Sequence, residues 1–232
     1  MLHRLVEFDE VVRRGYEDYE FRKVVSALSH FMSSDLSAFY FDVRKDALYC
    51  DTKSSSKRRA ALSVIEVLFD CLVRWLAPML PFTMEEAFLE RRPSSVHLEQ
   101  FPEVPREWRG HELARRWAVV RRVRQAVNGA IAVKRTERHV GSTLKNAPRV
   151  FLAPDVLAKL SGIDMGEICT TSEMTLSCET APEKRYTADR VSVVVEMAPG
   201  RICRRSWKID PHVGSDPEFP DLTVRDAAAM RE

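Results

Sequence analysis

Apolar residues keep helical spacing along most of the first 136 positions, and the spacing fails at "GSTLKNAP", residues 141 to 148. That change of period restricts the chain to helices first and a small mixed α/β portion afterwards. Phe21, Val24, Val25, Leu28, Phe31 and Met32 recur every three to four residues, which predicts helix from Tyr16 to about Tyr49. Ser33-Ser34 reads as an N-cap within it, with Asp35 in the first turn and Leu36, Phe39, Tyr40, Val43 and Leu48 continuing the face. A second helix is expected from Ser55 to Leu76, with Leu62, Ile65, Val67, Leu68, Leu72 and Trp75 inside and Pro78 and Pro81 ending it. Thr83 is expected to cap a short helix from Met84 to Arg91. After a Pro-containing connector, a long helix from about Gly110 to Thr136 carries Leu113, Trp117, Val120, Val123, Val127, Ala130 and Ile131 as its buried stripe.

Beyond residue 148 the pattern is that of short strands: Val150 to Leu152, Ile168 to Thr171, Met174 to Cys178, and most clearly "RVSVVVEMA" at 190 to 198. A short helix is expected from Pro154 to Leu160. The tail after Gly200 has no period and cannot hold itself together by core burial, so it needs a staple or a neighbour. The expected organisation is a mainly α chain: a helical bundle over 1–147, a small α/β subdomain over 148–199, and an irregular tail over 200–232. With 45% apolar and 30% charged residues, no run of roughly 20 apolar residues and no signal-peptide stretch at the start, a cytoplasmic protein is expected. The cysteines at 50, 71, 169, 178 and 203 are odd in number and scattered, which argues against a disulfide framework.

No self-contained active site is legible. Phosphate-cradling glycine loops, G-x-S-x-G and H-E-x-x-H are all lacking, and "HELAR" at 111 to 115 has no second histidine. Charge is more informative. The formal net charge is +2, yet residues 104 to 146 hold 11 bases against 3 acids. Such a surplus raises polyanion contact, against the plainer reading of a solvated arginine-rich helix face. In "LSAFYFDVRKDALYCD" (36 to 51), Phe39, Tyr40 and Val43 can point inward while Arg44, Lys45 and Tyr49 fall at the rim. Cations beside an aromatic suit phosphates and unstacked bases. The alternative is that these charges only pair with one another and hold the bundle.

"FYFDVRKDALYCD" and "RRAALSVIEVLFDCLVRWLAPMLPFTMEEAF" (58 to 88) closely resemble the helical anticodon-binding domain of class I aminoacyl-tRNA synthetases of the isoleucyl, valyl and leucyl group. "VGSTLKNA" (140 to 147) is similar to the isoleucyl pattern within it. Bacterial isoleucyl members end in a Cys-x-x-Cys-Trp…Leu-Cys-x-x-Cys zinc ribbon. Laid on that ribbon, the four thiolate positions fall at Cys203, Ser206, Thr223 and Asp226, so the tail looks derived from a zinc ribbon with its ligands mostly lost. Hydroxyls are poor zinc ligands, and no metal is expected; Cys203, His212 and Asp226 offer only a weak three-ligand alternative.

The resemblance implies the anticodon-binding region of an isoleucyl-tRNA synthetase without its catalytic portion, since the His-Ile-Gly-His and Lys-Met-Ser-Lys-Ser signatures are lacking. ATP and magnesium would then act elsewhere, and this chain alone would be inactive. Its implied partners are the anticodon stem-loop of isoleucine tRNA and the catalytic and editing domains of the same enzyme, as a monomer. Phosphate contacts are expected from Arg44, Lys45, Arg58, Arg59, Lys134, Arg135 and Lys145, base stacking or edge hydrogen bonds from Tyr49 and Trp207, and further tRNA contact in the tail from Arg204 and Arg205. Trp207 has a plainer alternative, packing the tail onto the α/β unit. Two rival functions stay open: a helical protein-interaction module without RNA affinity, and the equivalent domain of a valyl or leucyl enzyme.

Overall fold

A computed structural model describes residues 1–137 and 141–232, so Val140 of the "VGSTLKNA" motif lies outside the described residues. The helices are α1 (Leu2–Glu17), α2 (Phe21–His30), α3 (Asp42–Cys50), α4 (Ser56–Leu76), α5 (Pro81–Leu89), α6 (His111–Thr136), α7 (Pro154–Leu160), α8 (Met165–Cys169) and α9 (Val224–Met230). A π-helical segment, Phe31–Phe41, runs between α2 and α3. The strands are β1 (Arg149–Phe151), β2 (Thr175–Ser177), β3 (Tyr186–Ala188), β4 (Val191–Val194), β5 (Arg201–Ile202) and β6 (Ile209–Asp210). The mainly α fold with a small α/β part is as expected. By compactness, however, the chain divides into one unit of Met1–Phe41 with Ser54–His111 and another of Asp42–Lys53 with Glu112–Glu232, rather than at 147 and 199.

In the first unit, α1 lies mostly ahead of the expected helix start at Tyr16. It buries Leu5, Phe8 and Val12, which meet Val24, Leu28, Phe31, Leu68 and Trp75 in one apolar core. Gly15 permits this approach, because a Cβ there would collide with the Val24 side chain. Ser33 is no N-cap: its hydroxyl donates back to the carbonyls of Ser29 (2.9 Å) and His30 (3.2 Å), and the helix passes through. Asp35 is buried and accepts from Arg4 at 3.2 Å rather than serving a first turn. The buried positions here, Phe31, Asp35, Leu36, Phe39 and Tyr40, recur every four to five residues, a wider period than an α-helix holds on one face.

Helix α4 starts where expected, and Ser55 caps it by accepting the Arg58 N–H at 3.3 Å. Leu62 is not inside; it is 49% exposed. Nor does Thr83 cap the next helix: α5 begins two residues earlier, with Pro81 in its first turn, where a missing N–H costs nothing. Phe88 of α5 is buried with Val73, Ala77 and Val96 in a second apolar cluster.

In the second unit, α6 buries Val120, Val123, Ala126, Val127, Ala130 and Ile131, while Leu113 is exposed, against expectation. Four strands form a sheet in the order β2-β1-β4-β3, with β1 and β2 parallel and the other pairs antiparallel. Val150, Val191 and Val193 fill its buried face. The strand expected at Ile168 to Thr171 is instead the end of helix α8. Asp164 caps that helix by accepting the Glu167 N–H at 3.0 Å, and Thr170 turns left-handed to end it.

The tail is not irregular. β5 and β6 make a hairpin, and α9 follows with its N-terminus brought back to the hairpin turn. Gly200, at φ +116°, enters the hairpin where a Cβ would strike the Asp210 backbone.

Candidate nucleic-acid interface

Helix α3 turns Val43, Ala47 and Cys50 inward and leaves Lys45 and Tyr49 outside. Ion pairs hold it on several sides. Arg44 reaches Glu167 of α8 at 2.8 Å. Arg124 of α6 donates to Asp42 (2.9 Å) and to the Ile168 carbonyl (2.9 Å). Asp46 receives Lys208 at 3.2 Å and both guanidinium nitrogens of Arg225, at 2.6 and 3.1 Å. Burial opposes ionisation of Asp46, but Arg225 and Lys208 outweigh it and hold the carboxyl below its usual range.

Next to α3 the hairpin turn Arg204-Arg205-Ser206-Trp207 is closed by Cys203 N–H to Lys208 O (2.8 Å) and Trp207 N–H to Cys203 O (2.9 Å). Trp207 adopts φ +63°, a left-handed conformation that a side chain of this size seldom takes. Trp207 is 70% exposed and Tyr49 77% exposed, so Trp207 does little to pack the tail down. Both rings line one open cavity of about 470 Å³, together with Lys45, Ser142–Leu144, Glu167, Arg205 and Lys208. That volume lies within the roughly 300–1,000 Å³ of small-molecule-sized pockets.

The structure brings four expected site residues to this cavity: Lys45, Tyr49, Arg205 and Trp207. Lys45 is exposed and pairs with Asp42 at 2.7 Å. Arg205 is engaged inside the fold, donating to the Tyr49 carbonyl (3.1 Å) and to the Met230 sulfur (2.7 Å). Arg44 stands beside the cavity, on its Glu167 wall. Lys134 pairs with Glu137 (2.8 Å) and the exposed Arg204 with Asp221 (3.5 Å), neither of them lining it. Among the described residues, the side chains of Arg59, Arg135 and Lys145 make no ion pair or hydrogen bond. Arg58 and Arg59 belong to the first unit, at the start of α4. Lys208, Glu167 and Ser142–Leu144 were not expected in the site. The Gly-Ser-Thr-Leu turn was the available signal for the last group, but it served only as a mark of kinship.

Beneath the turn, the four ribbon positions converge. Cys203, Ser206 and Thr223 donate to the same carboxylate oxygen, Asp226 Oδ2, at 3.0, 2.6 and 2.8 Å. All four residues are buried, Cys203 and Asp226 completely. The other oxygen, Oδ1, accepts from Arg225 at 3.1 Å and faces Arg205 at 4.0 Å. Burial by itself would raise the Asp226 carboxyl, yet these donors and Arg225 keep it below its usual range. Two hydroxyls, one thiol and one carboxylate do not form the closed thiolate or imidazole set that structural zinc takes. His212 is exposed and hydrogen-bonds through its backbone N–H to Asp210 (2.7 Å), away from the cluster. Among the described residues no three His, Cys, Asp or Glu side chains are gathered to hold a metal ion.

Residues 1–148 match the anticodon-binding domain of tRNA ligase. The chain is 54% identical to an isoleucine–tRNA ligase of Agrobacterium fabrum over 238 residues, 51% identical to one of Mesorhizobium japonicum over 241, and 50% identical to one of Bartonella henselae over 238. Each alignment takes in 100% of this chain and 24–25% of the relative, so the chain spans about a quarter of the length of these curated relatives. No helix among the described residues is long and apolar enough to cross a membrane.

Proposed function

The chain belongs to the anticodon-binding domain family of tRNA ligases, and from that premise we propose that it is the part of an isoleucine–tRNA ligase that grips the anticodon stem-loop of isoleucine tRNA. The observation that carries this reading is the pair of exposed rings, Tyr49 and Trp207, on one cavity. Such rings are otherwise costly to leave in water. They offer stacking faces to bases splayed from a loop, whatever their sequence. The charged groups around them are largely paired already, Lys45 with Asp42, Arg44 with Glu167 and Lys208 with Asp46. The cavity is therefore suited to a base rather than to a naked phosphate. Backbone phosphates fall to exposed cations of the same unit such as Arg135, which fix register and affinity rather than sequence.

Amino-acid activation, with its ATP and magnesium, is assigned to the rest of such an enzyme. Its catalytic and editing parts would be the other partners of this chain, in a cytoplasmic monomer. The chain alone should catalyse no isoleucine-dependent ATP–pyrophosphate exchange.

The deciding experiment is equilibrium binding of the chain to the anticodon stem-loops of isoleucine, valine and leucine tRNAs across a salt series. The expected result is preference for the isoleucine stem-loop, with log K falling linearly in log salt. Preference for the valine or leucine stem-loop would move the chain to a sister enzyme. Equal, feeble binding to all three would overturn the reading.

A further inference from the structure

The tail buries few large apolar groups of its own; Val213 and Ala227 are among the buried ones. A segment of this size normally needs a staple. In a zinc ribbon the staple is a cation that draws in four thiolates. Here the same four positions converge on an anion. Three donors, Cys203 Sγ, Ser206 Oγ and Thr223 Oγ1, lie 2.6–3.0 Å from the single atom Asp226 Oδ2.

We propose that the Asp226 carboxylate stands in place of the metal ion, so that this ribbon is closed by hydrogen bonds to one buried oxygen and is metal-independent. The polarity of the site is inverted: a cation among electron-pair donors has become an anion among hydrogen-bond donors. The rest of the environment agrees with the inversion. Arg225 meets the second carboxylate oxygen at 3.1 Å and carries the compensating charge, itself tied to Asp46 of α3. Thr223 also accepts the Asp226 N–H at 3.2 Å, so the residue that supplies the anion is fixed by the start of α9. The Cys203 sulfur accepts the Thr223 N–H at 3.4 Å while donating to the carboxylate, which uses both its hydrogen-bonding capacities. A divalent cation in the same place would face two hydroxyls that do not ionise near neutral pH, with Arg225 adding repulsion.

The inference does not depend on RNA binding, and its test uses none. The full chain, saturated with zinc and then desalted, should carry far less than one zinc per molecule, and excess chelator should leave its unfolding midpoint unchanged. One tightly held zinc per chain, whose removal lowers the midpoint, would overturn the proposal. Asp226→Asn, which puts an amide among three donors, should lower the midpoint and speed hydrogen exchange across 201–230; an unchanged midpoint would overturn the carboxylate's role. The converse variant, Ser206→Cys with Thr223→Cys and Asp226→Cys, restores four thiols. It should bind one zinc, show tetrahedral thiolate absorption with cobalt, and lose its tail structure to chelator. If that variant takes up no metal and gains no structure from zinc, the four positions do not share a metal centre and the proposal fails.

Discussion

At the scale of single residues, Trp207 stands out because its backbone and its side chain are both unfavourable where they are. A left-handed non-glycine residue costs about 1–3 kcal/mol, and the ring remains in water. Strain retained without a packing return points to a use for the ring. Trp207→Gly should therefore separate the two properties. Its unfolding free energy in denaturant should be unchanged or higher by up to about 1 kcal/mol, while affinity for the isoleucine anticodon stem-loop falls roughly 5- to 100-fold, the worth of one stacked base. Loss of stability with unchanged affinity would show that the ring props the turn instead. The cysteines give an independent check on the burial of single side chains. Cys178 is exposed, whereas burial pushes the Cys71 and Cys169 thiols up to about 12. With an aromatic disulfide reagent at pH 8, Cys178 should react at once and Cys71 and Cys169 only on unfolding; early modification of either would show that its core opens. The exposure of Tyr49 was legible from its place on a helical face. That of Trp207 was not, because nothing in "CRRSWK" announces a left-handed turn at a tryptophan.

At the scale of elements, periodicity found α2, α4 and α6 but not α1, and capping chemistry explains two of the other misses. α8 and α9 are both short and both opened by an Asp or Thr side chain that accepts an N–H three residues on. The signal was present as Asp164-x-x-Glu167 and Thr223-x-x-Asp226, but a strand-like Ile168-Cys169 and a ribbon-like "LTVRD" hid it. In α4 the period was right and its phase partly wrong. Leu28 of α2 is fully buried in the first core, whereas Leu62 of α4 points half into solvent. Leu28→Ala should cost about 3 kcal/mol of unfolding free energy, within the range for a fully buried leucine, and Leu62→Ala less than about 0.5 kcal/mol. Equal losses in a denaturant titration would put Leu62 back in the core.

At the scale of the whole molecule, the positive stretch over 104–146 is less a surface field than its sequence suggests. Arg116 donates to the Lys159 (2.8 Å) and Ser161 carbonyls, Arg124 to Asp42 and the Ile168 carbonyl, and Arg115 to Glu112. Arg116 and Arg124 thus tie α6 to other parts of its own unit, a use that a count of charges does not anticipate because three of the acceptors are backbone oxygens far along the chain. Both units carry ion pairs, Arg4 with Asp35 and Arg92 with Glu66 and Asp70 in the first, but in the second they join α3 to α9 through Asp46 and the fully buried Asp226. The two units should respond differently to acid. Asp46, faced by Arg225 of α9, by Lys208 and by Cys50 of its own helix, has its carboxyl held below an ordinary value near 3.8. Its contribution is complete above that ordinary value and disappears as pH falls through the lower folded one. As pH falls below about 4, hydrogen exchange should accelerate first in 42–53 and 201–230, while the Leu5, Leu28 and Trp75 core of the first unit keeps its protection. Asp46→Asn should show the faster exchange already at pH 7. Simultaneous loss of protection in both units, or earlier loss in the first, would mean that the charged contacts around α3 follow the fold rather than hold it.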